Sequence, residues 1–126
     1  MKASSSLWLV LCLTAAASIV KGQTPPADVA KRKAELAALE KKQVAAKTVF
    51  DKSPKKPGAK ASFIELSNKL AYETMMARFI PSKERYPKAL RLYRSVLKVD
   101  PKNETATMWK RQIEDIYKSL GRPIPP

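Results

Sequence analysis

The chain has 126 residues, of which 25 are Lys or Arg and 11 are Asp or Glu, giving a formal net charge of +14 at pH 7. A chain of this length makes one domain with a modest core and leaves little room for a second. It has no histidine and one cysteine, Cys12, so the commonest general base, the usual zinc ligands and any internal disulfide are missing from the outset.

The amino terminus begins with Met1, Lys2 and a serine run, followed by the apolar stretch from Leu7 to Leu13 and then Ala15, Ala16, Ala17 and Ser18. This order predicts a secretory signal peptide over residues 1–22. The apolar run falls short of the ~20 residues that span a bilayer, and Lys21 closes it. Cleavage after Gly22 would leave Gln23 as the first residue, and cleavage after Ala17 also satisfies the small-residue rule. Retention of the run as an anchor is the alternative. Cys12 follows Leu9, Val10 and Leu11, without the small residues expected ahead of a lipidated cysteine. The expectation is therefore an exported protein, periplasmic or secreted. Loss of Lys2 and Lys21 with the leader would lower its net charge from +14 to +12.

Residues 23–51 form a basic amino-terminal segment. From Ala27 to about Asp51 it is rich in good helix formers, with Pro25 and Pro26 ahead of it, and predicts one long helix. Val29, Leu36, Leu39, Ala46, Val49 and Phe50 draw a thin apolar stripe that Gln43 interrupts. Arg32 and Gln43 stand where a coiled-coil seam needs apolar residues, so the helix is expected to lie along the domain. Residues 52–61 read as a basic linker. Two prolines and a glycine interrupt helical bonding, and Lys52, Lys55, Lys56 and Lys60 favour an extended chain.

Residues 62–126 form the predicted helical domain. Helical periodicity runs from Ser62 to about Phe79 through Phe63, Leu66, Leu70, Thr74 and Ala77, with Ser62 as cap and Glu65 completing a capping box. Pro81 ends or kinks this helix. Pro87 suits the first turn of the next, which reaches Val99 with Ala89, Leu90, Leu92, Tyr93, Val96 and Leu97 making it nearly apolar on two sides, so that it is expected to be buried between neighbours. Asp100 to Asn103 is a turn. A last helix from Glu104 to Leu120 carries Ala106, Trp109, Ile113, Ile116, Tyr117 and Leu120 at helical spacing, and Gly121 caps it. The fold class is all-α.

No enzymatic activity, cofactor or metal site is expected. Glu114 and Asp115 are adjacent and so point to different helix faces, while the three glycines are too scattered for a phosphate loop. Glu73 with Arg78, and Glu114 with Lys118, read as surface charges.

The stretch YPKALRLYRSVLKVDP, Tyr86 to Pro101, places Ala89, Tyr93, Val96 and Pro101 at the spacing of the second helix of a tetratricopeptide repeat. Residues about 70–103 resemble one such repeat, with Ala77 as the small residue of its first helix, and residues 104–120 with Trp109 resemble the helix that closes an array. Met76, Ile80 and Pro81 depart from the pattern. The ending from Ile116 to Pro125 is similar to the carboxyl ends of short exported repeat proteins of Gram-negative bacteria. The resemblance implies a helical hairpin plus capping helix, whose first helices line a concave groove for a partner's peptide segment. It would place Ala71, Thr74, Arg78, Lys110, Arg111 and Gln112 along that groove, with Arg78 holding a carboxylate. The expected partner is another protein or a second copy of the chain.

Two questions stay open. Arrays of this kind usually need ~3 repeats, so apolar surface on Phe63, Leu66 and Trp109 must be covered by another chain or by the amino-terminal helix. The charge also admits a second reading, in which Lys52, Lys55, Lys56 and Lys60 bind a polyanion such as an envelope polymer, a lipid surface or nucleic acid.

Overall fold

The computed structural model describes residues 26–126, so the leader, its cleavage sites and Cys12 lie outside the described residues. Four helices follow one another: α1, Pro26–Lys52; α2, Ala59–Met76; α3, Ser82–Val99; α4, Glu104–Ser119. The described residues contain no strand, and the fold is all-α.

Helix α1 opens on Pro26, whose missing amide costs nothing at a helix start. It carries Asp28 in its first turn and Lys52 in its last, both favourable to the helix dipole. The linker expected after it is not extended. The amides of Ser53, Lys56 and Ala59 donate to the carbonyls of Val49, Ser53 and Lys56 at 2.9, 3.0 and 3.1 Å, which winds residues 53–58 into a compact turn. Pro54 and Pro57 fix their own backbone angles and Gly58 takes the left-handed region, φ 79°, which overrides mutual repulsion among water-exposed lysines. Gly58 also starts α2 three residues earlier than expected. Ser62 therefore lies inside the helix, its amide donating to Gly58 O at 2.9 Å, and does not cap it.

Helix α2 stops at Met76, and the guanidinium of Arg85 donates back to the carbonyls of Ala77 and Ile80 at 3.4 and 3.5 Å. Helix α3 begins at Ser82, so Pro87 sits beyond its first turn. The acceptor that Pro87 cannot serve is the carbonyl of Lys83, an exposed residue. The ends of α4 match the sequence expectation closely. Asn103 Oδ1 accepts from the Ala106 amide at 3.0 Å, the N-cap geometry. At the other end Gly121, φ 62°, donates to Lys118 O at 3.0 Å while Arg122 donates to Tyr117 O at 3.0 Å, the paired bonds of a Schellman motif.

Each helix packs against the next. Phe50 stacks on Phe63 with centroids 5.4 Å apart, Gln43 bonds Ser67, and Lys33 lies over the ring of Phe79. Contact positions fall along α1 as they rise along α2, so the two helices run antiparallel. Between α2 and α4 the order is the same in both: Asn68 Nδ2 donates to Asn103 Oδ1 at 3.2 Å, and Tyr72 meets Trp109 at 5.4 Å. These two helices are parallel neighbours.

The main core lies between α2, α3 and α4 and consists of Ala71, Met75, Ala89, Leu90, Tyr93, Val96, Ala106 and Ile113. Ile124 of the tail packs against it, and Arg94 fixes the tail by donating to Pro125 O at 2.8 Å. The α1–α2 contact is a separate, more polar layer. Phe63 is buried there against Phe50, so the amino-terminal helix supplies the cover that a lone hairpin would lack. Trp109 is half-buried and covered by Tyr72 from within the same chain. Gln43, which interrupts the stripe in the sequence, is the one fully buried residue of α1; its amide donates to Ser67 Oγ at 3.0 Å.

Candidate functional site

The residues expected to line a groove divide sharply. Thr74 and Ala71 have no exposed surface at all, so neither faces a partner. Ala71 packs in the main core, and the buried Thr74 Oγ1 has no hydrogen-bond partner among the described residues. Arg78 is exposed, but it lies in the turn beyond α2 rather than on the helix. No ion pair or hydrogen bond among the described residues links it to Lys110, Arg111 or Gln112. Lys110 is engaged with Glu114 at 3.0 Å. Arg111 and Gln112 are exposed and line a shallow hollow on α4 with Met108, Asp115 and Ile116.

The expected packing residues Ala77, Ala89, Tyr93 and Val96 are all buried, while Pro101 is exposed in its turn. Tyr93 has no exposed surface, and its hydroxyl has no partner among the described residues. Burial, with a smaller contribution from Tyr72, pushes that hydroxyl well above the usual phenol range. The anticipated Glu114–Lys118 pair does not form. Glu114 instead joins Arg94 at 3.6 Å and Lys110 at 3.0 Å, tying α3 to α4, and Lys118 turns to Asp115 at 3.7 Å. Arg94 approaches from the neighbouring helix and Lys110 from one turn earlier on α4, itself an i,i+4 pair, which places the carboxylate between two cations and leaves Lys118 to Asp115.

Exposed large apolar side chains among the described residues are Val44 and Val49 on α1, Tyr72 and Met76 on α2, Met108 on α4 and Leu120 just past it. Tyr72, Met76 and Met108 are 41%, 38% and 54% exposed. Met76 follows Tyr72 by one turn on the same face, and Met108 adjoins Trp109, on which Tyr72 packs. Tyr72 and Met76 thus expose an aromatic and a thioether group on α2 where it meets Trp109, while Met108 is exposed on α4 beside Arg111 and Gln112. Sequence reasoning gave Arg111 and Gln112 and missed Tyr72, Met76 and Met108. For Tyr72 and Met76, two residues after Leu70 and Thr74 and so on the opposite side of α2, that spacing was the available signal.

A second surface lies between α1 and α2. One hollow of about 390 Å³ is lined by Arg32, Leu36, Leu39, Lys69, Glu73 and Phe79 among others. Another, of about 470 Å³, is lined by Ala45, Ala46, Val49, Lys56, Ala59 and Leu66 among others. Lys42 borders both, and both use the same stripe of α2, so they are two stretches of one trough. Its depth comes from alanines at Ala38, Ala45, Ala46, Ala59 and Ala77. Lys52, Lys55, Lys56 and Lys60 are exposed around its closed end, and none has a carboxylate partner among the described residues.

No described helix is long and apolar enough to cross a membrane, and the described residues contain no cluster of three or more candidate metal ligands. Comparison with protein-family models, with curated proteins and with solved structures finds no match.

Proposed function

We propose that this chain is an exported, non-enzymatic protein-binding or assembly module of the bacterial cell envelope, built on one tetratricopeptide-like hairpin with α1 as its cover and α4 as its cap. The observation that carries the reading is that Tyr72 and Met76, one turn apart on α2, and Met108 on α4 stay exposed although the core beside them is closed, with Tyr72 packed on Trp109 of α4. Aromatic and methionine side chains are enriched where proteins bind proteins, because each offers a large contact area. Arg111 and Gln112 provide polar groups beside that area. The partner is another protein or a second copy of the chain.

A second reading rests on the unpaired Lys52, Lys55, Lys56 and Lys60, which offer a concentrated positive field to an anionic envelope polymer, lipid surface or nucleic acid. The two separate in one experiment. The chain is immobilised, exposed to cell-envelope extract and eluted in rising salt, beside Tyr72→Ala with Met108→Ala, beside Arg78→Glu, and beside charge reversal of the four lysines. A single protein that persists to high salt and is lost with the Tyr72 and Met108 changes supports the protein-binding module. Polymer or lipid released at moderate salt, and lost only with charge reversal, replaces that reading with the second.

A further inference from the structure

The trough between α1 and α2 is separate from the α2–α4 face. Its α1 wall runs from Arg32 to Val49, about 25 Å at ~1.5 Å per residue. Leu36, Leu39, Val49, Leu66 and Phe79 line its floor, with alanines and Ser62 between them and Lys33 over the Phe79 ring. Its rim is predominantly cationic. Arg32, Lys42, Lys56 and Lys69 border it against Glu35 and Glu73, and Glu35 faces Lys31 at 4.0 Å. Beyond the rim, Lys52, Lys55 and Lys60 add charge at the end closed by the 53–58 turn.

We propose that this trough is a docking groove for an acidic amphipathic helix of a partner protein. Two antiparallel helices with alanines between them leave a channel into which the side-chain ridge of a third helix fits. A length of about 25 Å holds four to five turns at ~5.4 Å each. That is enough for apolar anchors at i, i+3, i+4 and i+7 to reach the floor, while Glu or Asp on the flanks meets Arg32, Lys42, Lys56 and Lys69. Charge complementarity selects the acidic partner. The channel is concave, so a flat bilayer meets its rim and not its leucines. A plain polyanion uses the lysines and leaves the apolar side chains in water.

The test uses the full chain and fluorescent helical peptides of about five turns. One carries Leu at i, i+3, i+4 and i+7 with Glu on its flanks; a second has Lys for every Glu; a third keeps the Glu residues and replaces the Leu residues with Gln. Ala38→Trp and Ala45→Trp fill the channel at exposed positions, so their helix content and melting temperature should match the parent chain. Lys42→Glu with Lys56→Glu reverses the rim. The expected result is saturable binding of the acidic amphipathic peptide, at least about tenfold tighter than either control peptide, and weakened by about tenfold in the filled and reversed variants.

Equal binding of the acidic peptide and its Gln version would overturn the proposal in favour of a polyanion site. Binding that survives both tryptophans but is lost with Tyr72→Ala and Met108→Ala would also overturn it, by moving the contact to α2–α4. Binding seen only after residues 1–22 are removed would assign the channel to the chain's own amino terminus. A dimer broken by Ala45→Trp would assign it to a second copy. The α2–α4 reading is tested by other residues, so either surface can fail while the other stands.

Discussion

The buried bond from Gln43 to Ser67 gives the sharpest test of how α1 is held. Gln43 is 5% exposed, Ser67 has no exposed surface, and the donor and acceptor are 3.0 Å apart. Ser67→Ala removes the acceptor and strands a buried amide, which costs about 1–3 kcal/mol. Gln43→Met removes the other partner. Its cost is smaller, about 1 kcal/mol, because the Ser67 hydroxyl can turn to the carbonyl one helical turn back. In the double variant no polar group is stranded and two apolar groups meet, so it should lie close to the parent. The coupling between the two changes is then about 2–4 kcal/mol, with the double more stable than the sum of the singles predicts. Urea unfolding followed by circular dichroism measures it. In a domain of this size Ser67→Ala should also lower the melting temperature by about 4–8 °C per kcal/mol lost. Singles that are each neutral, or that simply add, would refute the packing of α1 on α2.

Two further outcomes follow from the backbone and the core. Gly121→Ala meets no atom within 4 Å, so its whole effect is the left-handed backbone at φ 62°; a loss of about 1 kcal/mol and early fraying of α4 in hydrogen exchange are expected. Tyr93 ionises near pH 10 when unfolded but resists ionisation in the fold. Its contribution is therefore intact below pH 10 and is lost as pH rises above it, with a slope approaching about 1.4 kcal/mol per pH unit. Tyr93→Phe removes an unpartnered hydroxyl, so it should match or exceed the parent in stability at pH 7 and flatten that alkaline loss in a pH series of urea midpoints.

The carboxyl end of α4 was readable directly, because Gly121 can take the left-handed backbone that closes a helix, whereas Asn103 read only as part of a turn and is the N-cap in the fold. Periodicity also placed Leu70, Ala77, Ala89, Tyr93 and Val96 inward, and all are buried. It put Thr74 on the inward stripe too, while the family resemblance turned the same residue outward; the local pattern was the better guide. Gln43 escaped because an apolar template counts an amide as a break, and only the neighbouring helix supplies the hydroxyl that makes its burial tolerable. The start of α2 escaped because Gly58 takes a left-handed turn that composition does not specify. The α1–α2 trough was invisible for a related reason. Alanines that look like helix filler become a channel only when two such stripes face each other.

The proposed partner protein would rest on the exposed Tyr72 side of α2, beside α4. A photo-crosslinking amino acid in place of Tyr72, compared with the same group at the exposed Val44 of α1, tests it inside cells. The account predicts one discrete protein adduct from position 72 and none from position 44. An absence of adduct at 72, or equal labelling from both positions, would contradict it.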